Sequence, residues 1–131
     1  MKIVRKAIDD AFIVLELTGE VKLGESAENF SAELASVLAD PAVEGVVLQM
    51  ENINYLDSTG LGELVGYLGR FQESGKRLKL VKPNQTVVRL LQLTRLDQVF
   101  KVYPNEESAL GEMLGSQDGP ETQSGSTKDS L

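Results

Sequence analysis

The sequence predicts an α/β domain, a mixed β-sheet of about four to five strands carrying about four helices. Three features predict it. The hydrophobic period switches repeatedly between strand and helix spacing, and each switch falls at glycine, proline, asparagine or aspartate, the residues that favour turns. The run Gly45-Val46-Val47-Leu48-Gln49-Met50 is almost wholly apolar, as expected of a strand covered on both faces by helices. Helical patterns separate the later strands, and parallel neighbours need such crossovers. With 131 residues, 41% of them hydrophobic, the chain has material for one core.

The first element is a hairpin. Ala11 to Leu17 is apolar and rich in strand formers and stops at Thr18-Gly19-Glu20, while Met1 to Arg5 supplies a short partner across a turn at Asp9-Asp10. From Glu25 onward Phe30, Leu34, Val37 and Leu38 share one helical face, and Asp40-Pro41 ends that helix because proline disfavours helical geometry in the residue before it. Gly45 to Met50 follows as the central strand. After Ser58 the residues Leu61, Leu64, Val65, Leu68 and Phe71 recur at helical spacing, Ser74-Gly75-Lys76 closes the segment, and Leu78 to Val81 resumes strand character. Val87, Leu90, Leu91 and Leu93 mark a third helix, Val99 to Val102 a last short strand, and Glu107 to Leu114 a final helix. Ser116 to Ser130 lacks any large apolar side chain and cannot offset its ordering entropy by burial, so the sequence divides into a domain at 1–115 and a disordered tail at 116–131.

Charge and composition exclude several functions. Thirteen Lys and Arg stand against 20 Asp and Glu, a net charge of −7, so nucleic acid and anionic lipid are not the expected partners. The absence of cysteine and histidine removes thiol nucleophiles, disulfides, imidazole bases and the usual zinc or copper ligands. No catalytic residue, metal or cofactor is therefore expected. Neither a secretory leader pattern nor an apolar run long enough to span a bilayer is visible, and the cytoplasm is the expected location.

The chemistry concentrates at Tyr55-Leu56-Asp57-Ser58-Thr59-Gly60-Leu61-Gly62, where a strand becomes a helix. A helix N-terminus presents unpaired N–H groups and partial positive charge, so hydroxyls and carboxylates there can cap the helix or hold an anion. As an enzyme, Ser58 would need a base. No histidine exists, and Lys76, Lys79 and Lys82 fall on or beside a strand predicted to be exposed, where a lysine keeps its charge. As a phosphate cradle, Gly60 and Gly62 lack the lysine of a Walker loop and the residue order of a dinucleotide fingerprint. As a substrate, Ser58 needs no local machinery, because base, metal and nucleotide belong to a partner kinase. As a plain cap, Asp57, Ser58 and Thr59 only start the helix.

Nearby residues widen the surface. Gly62, Gly66 and Gly69 share one helical face, open either to a docking partner or to close packing within the chain. Tyr55 could anchor a partner or sit half-buried at a strand end. Lys76, Arg77, Lys79 and Lys82 form the dense basic cluster, interleaved with Leu78, Leu80 and Val81 as in a strand with one wet face.

The junction, preceded by the apolar strand and followed by Gly75-Lys76-Arg77-Leu78-Lys79-Leu80, resembles the STAS family, the domain of bacterial anti-sigma factor antagonists. Thr18-Gly19-Glu20-Val21 resembles the family's turn after its early strand, and Val87 to Phe100 resembles its third helix and last strand. The resemblance implies that a partner anti-sigma factor, acting as an ATP-dependent serine kinase, phosphorylates Ser58. It also implies a partner switch in which the unphosphorylated chain captures the anti-sigma factor, phosphorylation releases it, and a phosphatase resets the cycle. Asp57, Thr59 and Gly60 adjoin the phosphosite, with Asp57 as the recognition neighbour and Thr59 as a cap or secondary acceptor. Tyr55, Lys22, Gly62, Glu63 and Gly66 form the partner surface. Two positions depart from the pattern: Lys22 stands where many antagonists carry aspartate, which bears on partner identity, and Arg95 stands where glycine is common. The alternatives are a STAS module of a transporter-associated or signalling assembly that works without phosphorylation, and a small nucleotide-binding domain.

Overall fold

The computed structural model of the chain describes residues 1–98 and 101–115. The expected tail at 116–131 and the Val99-Phe100 part of the expected last strand lie outside them. The elements run β1 (Lys2–Ala7), β2 (Phe12–Val21), α1 (Glu25–Ala39), β3 (Gly45–Leu56), α2 (Ser58–Glu73), β4 (Arg77–Val81), α3 (Gln85–Leu93), a 3-10 turn at Leu96–Gln98, β5 (Val102–Tyr103) and α4 (Glu106–Gly115). One five-stranded mixed sheet has the order β1-β2-β3-β4-β5, with β1 antiparallel to β2 and every later pair parallel.

Alternation along the strands divides the core in two. One face carries Ile13, Leu15, Leu17, Val46, Leu48, Met50, Leu78 and Leu80 beneath Phe30, Leu34 and Val37 of α1, Leu64, Leu68 and Phe71 of α2, and Val87 and Leu91 of α3. The opposite face carries Phe12, Val14, Val47 and Val81 beneath Ala109 and Met113 of α4. Burial of each large side chain contributes roughly 1.5–3 kcal/mol. Leu93, placed on the third helix by its spacing, is the last residue of α3, where it is 74% exposed.

Two strands run further than the turn residues predict. β2 passes through Thr18-Gly19-Glu20 to Val21, because Gly19 adopts φ 109° at one of two irregularities in the pairing with β3. β3 likewise continues through Asn52 and Asn54 to Leu56, pairing with β2 as far as Val21 and Leu56. Both strands therefore deliver their ends to the same corner of the sheet.

The basic cluster is not a solvated edge. β4 lies between β3 and β5, and its cations are structural. Lys76 Nζ donates to the carbonyls of Leu38 and Asp40 at 2.7 and 2.6 Å, closing the end of α1, and the Arg77 guanidinium donates to the Met113 carbonyl of α4. Burial lowers the Lys79 pKa, and repulsion from Lys101 and Arg77 lowers it further against the attraction of Glu112. Lys79 pairs in register with Val47 while Ser58 follows the far end of β3, so the two cannot form a dyad.

Asn84 caps α3 by accepting from the Val87 N–H at 2.9 Å and donates its amide to the Ile53 carbonyl at 2.6 Å. Asn84→Ala removes both bonds and is expected to cost about 1–2 kcal/mol in urea unfolding. Beyond α3, Arg95 holds φ 63°, the left-handed geometry at which glycine is favoured after a helix end. The departure noted in the sequence is thus a strained position that still folds.

Candidate functional site

Asp57 stands at the hinge between β3 and α2 with extended backbone, φ −87° and ψ −175°, and it caps the helix. Its Oδ1 accepts from the Gly60 N–H at 2.8 Å, its Oδ2 accepts from the Leu23 N–H at 2.9 Å, and its own N–H donates to the Val21 carbonyl at 3.2 Å. A single residue thereby ties the start of α2 to the loop between β2 and α1, 34 positions away in sequence. The hydrogen bond from the Gly60 N–H, followed by that from the Leu23 N–H, holds the Asp57 pKa below its ordinary value against the opposing effect of burial, with the Thr59 N–H and the charge of Lys22 as lesser aids. A depressed folded pKa means that this support is present above the ordinary value of 3.8 and is lost as pH falls through the lower folded value. The Leu23 and Gly60 amide resonances are expected to titrate together with a midpoint below 3.8, the value Asp57 starts from. A midpoint at or above that value, or one amide moving alone, contradicts the double bond to Asp57.

The cap assignment corrects the reading in which Thr59 starts the helix. Asp57 takes that role, and Thr59 is half-buried beside Leu23, Gly24, Ala27 and Glu63 in a groove of about 340 Å³ between α1 and α2. Ser58 is the first residue of α2, and it is exposed. Its hydroxyl enters none of the side-chain hydrogen bonds among the described residues. Since the Asp57 carboxylate already occupies the Gly60 N–H, that donor is not free to cradle a bound phosphate.

Gly60 is a steric requirement. A Cβ there would lie 2.4 Å from the Val21 carbonyl oxygen and 3.0 Å from Leu56 and Val21 side-chain atoms. Gly62, Gly66 and Gly69 are the reverse, with open space where a Cβ would stand, so close packing within the chain is not their reason. Helical spacing sets Gly62 and Gly66 on the face that Ser58 begins. Tyr55 is 46% exposed, and its register partner on β2 is Glu20, which also pairs with Lys22 at 3.1 Å. Tyr55, Lys22, Asp57, Ser58, Thr59 and Gly60 thus gather at one corner, with Gly62 and Gly66 continuing it along α2 and Glu63 turning into the groove. The residue that sequence reasoning missed is Leu23, 78% exposed at the same corner and joined to Asp57 through its backbone. The signal was a leucine set between Lys22 and Gly24, outside every periodic face.

The STAS domain family model matches residues 2–109. The chain belongs to the STAS domain family. Among relatives of this STAS domain, the anti-sigma F factor antagonist of Paenibacillus polymyxa is 28% identical over 106 residues, covering 77% of this chain and 86% of the relative. The anti-sigma-B factor antagonist of Staphylococcus aureus is 32% identical over 92 residues, covering 67% and 85%. The solved structure of the anti-sigma factor antagonist SpoIIAA in its unphosphorylated form matches with a TM-score of 0.74 at 22% identity, covering 87% of this chain and 97% of that one. The phosphorylated form of the Bacillus SpoIIAA matches at 0.70 and 20% identity, covering 86% and 99%. Within this STAS domain no described helix is long and apolar enough to cross a membrane.

Proposed function

We propose that this STAS domain is an anti-sigma factor antagonist that captures an anti-sigma factor serine kinase and is released when that kinase phosphorylates Ser58. The observation that carries the reading is the Ser58 hydroxyl, exposed and without a hydrogen-bond partner among the described residues, on a helix start whose capping duty Asp57 performs. An acceptor free of structural duty can be modified without unfolding the domain. In the transfer, Ser58 Oγ attacks the γ-phosphorus of ATP held by the partner, the P–O bond to ADP breaks, and the serine proton passes to the partner's base. This domain supplies the acceptor and the docking surface, and a phosphatase reverses the step.

The product adds roughly −1.5 to −2 charges beside Asp57. Bulk and charge then fall at the corner where Tyr55 and Leu23 are exposed, a surface from which a docked partner would exclude water. Lys22 and Glu63 set the charge pattern that selects the partner, and the bare strip at Gly62 and Gly66 lets a partner backbone approach α2. Protein recovered from its native host during cycling, analysed by intact mass and site mapping, is expected to carry one phosphoryl group on Ser58. Phosphate found elsewhere, with Ser58 always free, overturns the reading.

A further inference from the structure

Four hydrogen bonds fasten the flanks of the 22–24 loop to α1: Ala27 N–H and the Ser26 hydroxyl donate to the Lys22 carbonyl, Glu28 N–H donates to the Gly24 carbonyl, and Lys22 N–H donates to Ser26 Oγ. The Leu23 N–H is different. It crosses to Asp57 Oδ2 at 2.9 Å and has no second acceptor among the described residues. The loop's attachment on the α2 side therefore runs through one carboxylate, whose other oxygen holds the Gly60 N–H at 2.8 Å. Lys22, paired with Glu20 at 3.1 Å, Glu25 directly after the loop, and Glu28 and Glu63 along the groove are charges that surround the loop.

We infer that Asp57 is a positioning residue that passes the phosphorylation state of Ser58 to the loop at 22–24, so that a phosphoryl group on Ser58 loosens Leu23. The inference rests on the proposed role of Ser58 and adds a route by which modification reaches a residue it does not touch. Ser58 follows Asp57 directly at the helix start, so a phosphate there competes for the same first-turn N–H donors and repels the neighbouring carboxylate. Asp57 cannot move without releasing Leu23. That leucine is 78% exposed, so its placement for a partner depends on the backbone bond more than on packing.

Amide hydrogen exchange on the full chain tests the coupling without any partner. Ser58→Asp is expected to speed Leu23 exchange about tenfold or more, while the neutral Ser58→Asn changes it by less than about twofold. In an Asp57→Asn background, where the acceptor facing Leu23 is lost, Ser58→Asp is expected to add nothing further. Equal Leu23 exchange in wild type and Ser58→Asp overturns the coupling, as does an undiminished acceleration when Asp57 is replaced. Because no kinase is present, either negative result leaves the proposed acceptor role of Ser58 standing, and failure of that role leaves the exchange result standing.

Discussion

Gly60→Ala is expected to destabilise the fold by about 3 kcal/mol, at the upper end for overpacking substitutions. The added Cβ meets the Val21 carbonyl oxygen at 2.4 Å, which is backbone and cannot rotate away. That oxygen accepts from the Asp57 N–H at 3.2 Å, and Val21 pairs in register with Leu56, so relief requires moving the strand end and the helix start together. Gly62→Ala, on the same helix, meets nothing within 4 Å. It is expected to raise stability by about 0.5–1 kcal/mol, because alanine replaces glycine at an exposed position inside the helix. Urea unfolding of the two variants checks both signs. Equal effects would mean that the close approach of α2 to β2 does not constrain the junction.

Ser58→Asp is expected to weaken capture of the anti-sigma factor about 100-fold or more, about 2.7 kcal/mol, while Ser58→Ala keeps wild-type affinity. Ser58→Ala should not shift the stability of the free domain by more than about 0.5 kcal/mol, since the Ser58 side chain is exposed and unbonded among the described residues. Ser58→Asp, by loosening the Asp57 bond to Leu23, should cost about 1–2 kcal/mol and leave the domain folded. Titration calorimetry against the partner, with unfolding curves for the free variants, separates lost recognition from lost fold. Equal affinity for wild type and Ser58→Asp sinks the switch.

Much of the architecture was legible because it follows from period. Gly45 to Met50 announced a strand buried on both faces, and Leu61 through Phe71 announced the helix that crosses over it. What period could not convey was backbone geometry. Thr18-Gly19-Glu20 looks like a stop, yet Gly19 lets β2 continue past an irregularity, and the apolar run ends at Met50 while β3 keeps its pairing as far as Leu56. The basic residues of β4 alternate with apolar ones as they would on a wet edge, and only strand order reveals that Lys76 and Arg77 bind carbonyls of distant helix ends.

The candidate site was legible at the same level. Residue types at a strand-to-helix junction pointed to Asp57, Ser58 and Thr59, and spacing put the helix glycines on one face. Local sequence could not say which of the three caps, nor that the Asp57 carboxylate reaches Leu23 across the fold. Those facts depend on two strand ends meeting at one corner. They are also what leaves Ser58 free.

The most direct measurement is phosphate uptake by purified wild type, Ser58→Ala and Thr59→Ala chains incubated with ATP and the anti-sigma factor, read by intact mass. One phosphoryl group on wild type and on Thr59→Ala, and none on Ser58→Ala, is the predicted result. Uptake by Ser58→Ala equal to that of wild type would contradict the assignment of Ser58 as the switch.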